Sequence, residues 1–514
     1  MNLGALLAQL DSAAVPSPSV DWPALVPLMI MAAGGLVLLT INSVVIHLPR
    51  WFATAWTIAV GIASGVCVIP VWVRVNDVER GPTSTLSNML GVDGFYLFFV
   101  AIISAAVVLT ALLAHDYLRR EDLEGVEFYV LMMLSASGGM VMAGANDLLV
   151  MFLGLEALSI AAYVLAAMHL RRFQSQEAGM KYFVLGAFSS AFLLYGIAMI
   201  YGATGSTNLV DIKRFLASNI LLVNGELHDG MLLIGMALML VGLGFKIAAV
   251  PFHSWSPDVY QGAPTPSVAF MAAAVKAASF AALLRVFVVG FELYSDDWQP
   301  AIYALAVVTL LVGSTVAVVQ TDVKRMLAYS SISHAGFILV GAQAASARGT
   351  ASCLFYLAAY TFMVIGSFGV VTLVGRTGDS RHSLGDYRGL SSRRPVLAFA
   401  FTLLLLAQAG VPFTTGFFAK FYVIRAATEA HSYWLAIVAM VSSVIAAFLY
   451  LRIVFAMYAS DADADDTAPI AIPTLAGIAI LIAVGVTVVF GFVPSVLEQW
   501  ARDAVPAILA SSTG

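Results

Sequence analysis

Apolar runs of about twenty residues recur along the whole chain, and they constrain its fold more than any other feature. A helix rises about 1.5 Å per residue, so each run is long enough to cross about 30 Å of hydrocarbon. Apolar residues make up 61% of the 514 residues and charged residues only 11%. We predict an all-α polytopic membrane protein with about fourteen transmembrane helices. The predicted spans lie near residues 25–47, 51–73, 92–114, 126–144, 148–168, 178–202, 229–250, 264–291, 299–319, 325–345, 350–375, 396–418, 431–457 and 470–493.

The distribution of lysine and arginine between alternate loops predicts the orientation. Arg50 is the first lysine or arginine of the chain, so no basic region of a secretory signal precedes the first span, and we expect that span to remain as an anchor. With the N-terminus outside, the inner loops hold about thirteen lysines and arginines and the outer segments about seven. This asymmetry places both termini on the outer side of the membrane.

Redox, metal and nucleotide motifs are not evident in the sequence. Cys67 and Cys353 lie in or beside apolar spans, and an ordinary iron–sulfur cluster or four-cysteine zinc site needs four thiolates. No glycine-rich dinucleotide motif follows a strand, and there is no Walker A sequence. The acidic run Asp461–Asp466 lacks the turn glycine and closing glutamate of a calcium loop, so we interpret it as a solvated loop. A polar outer segment, 205–229, is a candidate for a short surface helix.

Five ionisable residues lie inside or at the edges of the apolar runs, and these are Glu156, Lys181, Lys246, Lys276 and Lys420. An ionisable group in hydrocarbon is costly, which makes these residues a functional-site hypothesis by default. Lys276 is near the middle of its run, and its side chain is too short to cover the roughly 15 Å to a membrane face. The set predicts a path for protons.

Two spans are interrupted at nearly the same tetrapeptide, once at Pro251 and once at Pro412. Proline removes a helical hydrogen bond and frees backbone groups that lipid cannot satisfy, so such breaks are tolerated where they line a hydrated cavity. The two breaks are five spans apart, and an odd offset inverts the second copy. We therefore predict an N-terminal three-helix segment at 1–125, inverted five-helix repeats with one broken helix each at 126–292 and 299–457, and a C-terminal helix and tail at 458–514.

Lys246 and Lys420 flank the two breaks, where each side chain would reach trapped water. The alternative for both is that they lie close enough to span ends to extend into the interface. Antiparallel packing of spans five and six would bring Glu156 and Lys181 within reach of each other, and we predict an ion pair between them.

Three further polar residues lie in or beside the apolar runs. His253 and His334 are possible relays between the lysines, although a lone histidine is more often a satisfied packing residue. Arg285 is nearer a membrane face, where we expect it to extend into the interface or to contact a partner.

Several segments together resemble the antiporter-like membrane subunits of NADH:quinone oxidoreductase, respiratory complex I. The matching segments are Leu153-Gly-Leu-Glu156-Ala-Leu-Ser, Phe245-Lys246-Ile-Ala-Ala-Val-Pro251-Phe-His-Ser-Trp-Ser-Pro-Asp258, Val275-Lys276-Ala-Ala, Asp322-Val-Lys-Arg325-Met-Leu-Ala-Tyr-Ser-Ser-Ile-Ser-His334, Tyr387-Arg-Gly-Leu and Ala409-Gly-Val-Pro412-Phe-Thr-Thr-Gly416-Phe-Phe-Ala-Lys420. They extend across most of the chain and are most similar to the subunit N branch. Lysine at 420 and the absence of a histidine pattern beside Lys276 favour subunit N over subunit M. Relatives often have proline before the span-eight lysine, whereas this chain has Val275, and we expect a straighter helix there.

The resemblance implies a role for the chain and for its partners. In that family the span-five glutamate and the lysines of spans six, seven, eight and twelve form a hydrated central axis, which corresponds to the five ionisable residues above. It also implies a proton-translocating subunit of an oxidoreductase in the bacterial inner (plasma) membrane, with subunits K and M as neighbours and no nucleic-acid partner. FMN, iron–sulfur clusters and quinone would belong to partner subunits, with no cofactor and no metal on this chain.

Two alternatives remain open at this stage. The first is a subunit of a multi-component cation/proton antiporter, whose membrane subunits share this fold. A sodium site needs several oxygen ligands, and Glu156 is the only carboxylate that we place deep within a span. The second alternative, a passive scaffold, leaves the buried charges unexplained.

Overall fold

Long helices account for most of the computed structural model, which describes residues 20–45, 47–77, 79–222, 229–459 and 470–505. The acidic run Asp461–Asp466 lies outside the described residues, as do both chain termini. The helices are α1 (Trp22–Val44), α2 (Phe52–Val75), α3 (Gly94–Arg120), α4 (Glu127–Gly144), α5 (Leu148–Ala167), α6 (Phe173–Thr204), α7 (Leu209–Leu222), α8 (Asp229–Ile247), α9 (Trp255–Gly262), α10 (Thr265–Gly290), α11 (Ser295–Val319), α12 (Val323–Gln343), α13 (Ala347–Val374), α14 (Pro395–Ala409), α15 (Thr415–Glu429), α16 (Tyr433–Ala459), α17 (Thr474–Phe492) and α18 (Pro494–Asp503). Single helical turns occur at Glu292–Tyr294, Leu384–Tyr387 and Leu390–Arg393.

The all-α membrane fold is confirmed, since twelve helices in the described ranges are long and apolar enough to span a bilayer. Two predicted spans are not among the twelve. Span 325–345 falls on α12, which carries more polar residues, and span 396–418 is divided between α14 and α15. The number of fourteen and the division into repeats stay predictions. The surface helix predicted within 205–229 is confirmed as α7.

One small sheet joins α2 to α3. Strand β1 (Thr83–Thr85) pairs antiparallel with β2 (Leu90–Val92), with Thr83 opposite Val92. The connecting residues at 86–88 have positive φ angles, which a tight reversal of the chain requires.

Three helices form the centre of the bundle. The apolar windows of α3, α10 and α13 are 83%, 100% and 94% buried, whereas those of α1, α2 and α17 are 33–39% buried. Helix α10 runs without interruption but includes two π-helical segments, Met271–Val275 and Leu284–Gly290, on either side of Lys276–Leu283. Lys276 is the first residue after a π-helical segment, where the helix returns to α geometry. Single π turns within α-helices are frequent at functional sites.

Both predicted helix breaks are present. Helix α8 ends at Ile247 and α9 begins at Trp255, while α14 ends at Ala409 and α15 begins at Thr415. Gly410 has a φ of 92°, a left-handed conformation that glycine adopts without strain.

Side chains satisfy the backbone groups that the two breaks release. The indole of Trp255 donates to the carbonyl of Phe245 (2.9 Å), and the backbone N–H of Val250 donates to Thr309 Oγ1 (3.0 Å). At the second break the ammonium of Lys420 donates to the carbonyl of Ala409 (2.7 Å). These hydrogen bonds pair three of the backbone groups that lie at the two breaks.

Candidate functional site

Lys246 occupies the last turn of α8, directly before the first break, and is 3% exposed. Its Nζ donates a hydrogen bond to the hydroxyl of Tyr163 (3.0 Å). The same nitrogen lies 4.9 Å from the ring centre of Tyr163, 5.5 Å from that of Tyr182 and 5.7 Å from that of Phe245. Aromatic faces attract a cation without supplying a formal negative charge. The ammonium group is thus enclosed by one hydroxyl and three rings.

Lys276 is enclosed in a similar way at the centre of the bundle and is also 3% exposed. Its Nζ donates to the carbonyl oxygen of Ser331 (2.6 Å) and to Ser331 Oγ (2.5 Å). The ring centre of Tyr360 lies 5.6 Å away. Lys276 is therefore buried inside the bundle, and its depth in the membrane stays a prediction.

Lys420 lies in α15, just after the second break, and is 6% exposed. Besides the carbonyl of Ala409, its Nζ donates to Ser443 Oγ (2.9 Å) and lies 4.8 Å from the ring centre of Phe337. Each of the three lysines therefore has an oxygen acceptor from a hydroxyl or a carbonyl, together with an aromatic face.

None of these three ammonium groups has a carboxylate within ion-pair distance in the part of the chain that the structure describes. Lys324 shows the contrast, since it is fully buried but lies 3.4 Å from Asp379 Oδ2. A buried charge without a counter-charge is expensive, and nothing in the packing of the bundle requires it. The surroundings of the three lysines therefore differ from the structural ion pair of Lys324, and unpaired buried charges of this kind are candidates for a functional site.

Glu156 and Lys181 do not form the predicted ion pair. Lys181 Nζ instead lies 2.7 Å from Glu177 Oε1, one turn earlier on α6, and 2.8 Å from Asp258 Oδ2 on α9. Glu156 is half-buried, and its Oε1 has no hydrogen-bond partner among the described residues. Glu177 and Asp258 thus form the ion pairs of Lys181 in place of Glu156. The sequence prediction had considered Glu156 alone as the partner of this lysine. The charge of Glu156 acts instead on Lys246.

A hydrogen-bonded group formed by α12 and α16 lies beside Lys276. Ser330, next to the Ser331 that binds Lys276, is 2.6 Å from the hydroxyl of Tyr450, and that hydroxyl is 3.1 Å from His334 Nε2. His334 is buried at 2% exposure. These contacts connect His334, through Tyr450, to the residue next to the Ser331 that binds Lys276.

The two predicted histidine relays have different surroundings. Both ring nitrogens of His334 are engaged, since Nδ1 is 2.7 Å from the hydroxyl of Tyr356 and Nε2 contacts Tyr450. His253 is half-buried beside the first break, its ring centre is 6.5 Å from that of Tyr329, and its Nδ1 has no partner within the described ranges. Within the described residues, His334 therefore belongs to a hydrogen-bonded group next to the Ser331 that binds Lys276, whereas His253 has no such connection.

A polar cavity of about 520 Å³ lies at the predicted inner end of α6. Its lining includes Lys181, Asp258, Arg172, Asp379 and His382. A cavity of this size with several polar partners readily holds ordered water. It would give Lys181 access to the aqueous phase from one side.

Asp379, which the sequence analysis did not single out, is the most densely bonded carboxylate of this region and is completely buried. Its five partners come from both predicted repeats and from α3, and they are Tyr117 (3.1 Å), Arg172 (3.0 Å), Thr265 (2.8 Å), Lys324 (3.4 Å) and His382 (2.9 Å). Burial raises the pKa of the Asp379 carboxyl, but the nearby Lys324, His382 and Arg172 outweigh burial and hold this pKa well below its usual value. The carboxylate is therefore ionised and connects residues of the two predicted repeats.

Arg285 does not extend into the interface as predicted. Its guanidinium forms a bidentate ion pair with Asp93, with distances of 3.0 and 2.8 Å, and its Nε donates to the carbonyl of Ala143 (2.8 Å). The residue is 5% exposed and contacts its own chain. Asp93 is 192 residues away in sequence, so helix periodicity gave no sign of the pair.

Besides Asp379, sequence reasoning missed the site residues Asp258, Tyr163 and Tyr450. Tyr163 follows Glu156 by seven residues, so helical periodicity places both on one face of α5 and was a usable signal. Tyr450 lies 120 residues from Ser330, and no local pattern joins them.

Comparison with known proteins identifies the family of the chain. The family described as NADH:quinone oxidoreductase/Mrp antiporter, TM, matches residues 145–446. NADH-quinone oxidoreductase subunit N of Trichlorobacter lovleyi is 42% identical over 497 residues, which are 95% of this chain and 98% of that relative.

Solved structures show the same fold. A chain of respiratory complex I from Thermus thermophilus with bound aureothin has a TM-score of 0.76 and 32% identity, and the match covers 93% of this chain and 99% of that one. A chain of the Mrp complex from Dietzia sp. DQ12-45-1b has a TM-score of 0.82 at 20% identity, over 96% of this chain and 99% of that one, and shows similarity of fold alone. The chain belongs to the family of NADH:quinone oxidoreductase and Mrp antiporter transmembrane subunits, within its subunit N branch.

Proposed function

We propose that the chain is a proton-translocating membrane subunit of NADH-quinone oxidoreductase and that it moves protons through Glu156, Lys181, Lys246, Lys276 and Lys420. The observation that carries the proposal is the shared environment of the last three lysines. Each is buried, each donates to an uncharged oxygen, and each faces an aromatic ring. FMN, iron–sulfur clusters and quinone belong to partner subunits, so this chain carries no redox centre.

An ammonium without a counter-charge responds to small changes in the local field. A unit charge about 10 Å away contributes about 1.7 kcal/mol at an effective dielectric constant of about 20. That energy exceeds the roughly 1.4 kcal/mol that changes a proton affinity tenfold. It is also comparable with the roughly 2.3 kcal/mol needed to move one charge against 100 mV. A change of charge at one end of the series of lysines therefore suffices to protonate or deprotonate the next lysine.

The contacts support an order for the transfer steps. Glu156 acts on Lys246, and Lys246 is followed by Lys276, which is bound to Ser331. In this order His334 follows Lys276, because Tyr450 connects it to Ser330, next to the Ser331 that binds Lys276. Electron transfer in the partner subunits alters the charges around Glu156 and Lys181, and a proton then passes along the lysines and leaves on the outer side.

The exposed lateral surface of α5 and α6, on the side of the bundle that carries Glu156, favours contact with a neighbouring subunit. The side chain of Lys181 is 41% exposed in the single chain, and Leu153 (65%) and Phe183 (52%) are exposed nearby on the two helices. A charged residue on the side of a membrane bundle requires a protein partner or a hydrated cavity. We assign subunits K and M as the neighbours of this chain, in a bacterial plasma membrane and with both termini on the outer side.

The fold shared with the Mrp complex keeps cation/proton antiport as the alternative, and purified complex in sealed proteoliposomes separates the two functions. We expect NADH with quinone to drive proton uptake or release at the same rate with and without sodium in the buffer. Proton movement that needs a sodium gradient and proceeds without NADH would contradict the proposal and support antiport. An uncoupler that abolishes the pH gradient without slowing NADH oxidation controls for leak.

A further inference from the structure

The face of α5 that carries Glu156 continues through Ser159 to Tyr163. These residues are three and seven positions further along the helix, so their side chains stand one above the other. The Ser159 hydroxyl is bonded to the carbonyl of Leu155. Tyr163 is 6% exposed and ends the row at the hydroxyl that accepts the hydrogen bond from Lys246.

The hydroxyl of Tyr163 has little freedom to move. It lies so close to α6 that a Cβ added at Gly186 would be 2.1 Å from it. The ring of Tyr182 packs edge-on against the ring of Tyr163 at a centre distance of 4.7 Å, and Tyr182 itself stacks on Trp255 at 4.5 Å. Gly186 thus makes room for the hydroxyl, and the aromatic packing fixes its position.

The direction in which Lys246 points is therefore set from α5. Its hydrogen bond is made to the helix that carries Glu156, and Glu156 is the acidic residue whose charge acts on it. Lys276 is bonded to α12 instead, through Ser331. In this structure Lys246 is therefore bonded to the helix that carries Glu156 and not to the helix that holds Lys276.

We propose that Tyr163 is a positioning residue that holds the Lys246 ammonium on the Glu156 side, where the lysine receives its proton, and that the loss of this hydrogen bond frees the lysine to turn towards Lys276. The inference rests on the proposed function and adds a residue to it. Tyr163 acts through Lys246 and does not itself carry the proton.

Tyr163→Phe tests the inference, because it removes the hydroxyl and keeps the ring that faces Lys246. We expect the number of protons moved per electron to fall by several-fold, up to about tenfold, with the complex assembled, since a hydrogen bond to a charged group is lost. The ammonium form of Lys246 loses its acceptor, so the alkaline side of the pumping pH profile shifts to lower pH by about one unit. A purely structural role for Tyr163 would not move this profile.

Two further variants keep the test decisive. Gly186→Ala retains the hydroxyl but displaces it, so we expect the same pH shift, and this variant decides the outcome if Tyr163→Phe does not assemble. Tyr129→Phe is the matched control, because it removes another buried hydroxyl, 2.7 Å from Thr54 Oγ1, and we expect pumping to remain normal.

The outcomes separate this inference from the proposed function. Normal pumping with an unshifted pH profile in Tyr163→Phe, together with loss of pumping in Lys246→Ala, would overturn the role of Tyr163 alone. Normal pumping in both variants would overturn the proposed function as well. An equal loss in Tyr129→Phe would overturn the inference, because the effect would then follow from any lost buried hydroxyl.

Discussion

Replacement of Lys276 by methionine is expected to stop NADH-driven proton pumping while leaving the subunit as stable as the wild type, or more stable. Lys276 is buried with no carboxylate beside it among the described residues, so its removal relieves the cost of an uncompensated charge. An apolar side chain of similar length in such a site is neutral or stabilising by about 1–4 kcal/mol. Pumping in proteoliposomes and thermal denaturation of the purified complex measure the two effects.

Lys324→Met is the matched control for this prediction. Lys324 is as deeply buried as Lys276, but it lies 3.4 Å from Asp379 and donates to the carbonyl of Ala263 (2.7 Å). Its removal leaves a buried carboxylate with fewer partners, so we expect loss of stability. Destabilisation by Lys276→Met as large as that by Lys324→Met would show that Lys276 serves packing rather than proton transfer.

Asp379→Asn is expected to destabilise the subunit by about 3–5 kcal/mol, because it removes the one carboxylate that lies within ion-pair distance of Lys324 among the described residues. Arg172 would lose the same charged acceptor at 3.0 Å. Denaturation of the purified complex, followed by the dissociation of this subunit, measures the effect. Asp122→Asn is the control, since Asp122 pairs with Arg171 at an exposed site where such pairs contribute about 0–1 kcal/mol. Equal stability of the two variants would contradict the role of Asp379 as the joint between the halves of the bundle.

The same carboxylate gives stability a defined pH dependence. Because the pKa of Asp379 is lower in the folded protein than in the unfolded chain, its contribution is fully present above about pH 4 and is lost as the pH falls through the lower folded value. We expect the wild-type subunit to lose more stability than Asp379→Asn over this acidic range. Parallel pH profiles for the two proteins would contradict the assignment.

Opposite expectations for Lys276 and Asp379 follow from one distinction. A buried charge surrounded by opposite charges stabilises the bundle. A buried charge with only neutral partners is free to change its protonation state. The sequence alone placed Lys246, Lys276 and Lys420 inside the membrane, since apolar runs around a lysine are visible without a structure. The absence of counter-charges was not visible there, because a partner carboxylate can lie hundreds of residues away.

Long-range pairs account for most of what the sequence did not predict. Asp93 and Arg285 are 192 residues apart and Tyr117 and Asp379 are 262 apart, so neither pair has a local pattern. The Glu156–Lys181 ion pair was predicted from the antiparallel packing of two neighbouring spans. In the structure Lys181 forms its ion pairs with Glu177 and Asp258 instead. The broken helices at Pro251 and Pro412 were predictable because proline acts locally on its own helix.

The most direct test of the central claim is the ratio of protons moved to electrons transferred in purified complex whose only change is Lys246→Ala, with assembly verified in the same preparation. Lys246 lies beside the first helix break and receives the influence of Glu156. We expect the ratio to collapse, with electron transfer slowed or uncoupled from pumping. A wild-type ratio in the assembled variant would contradict proton transfer through the buried lysines.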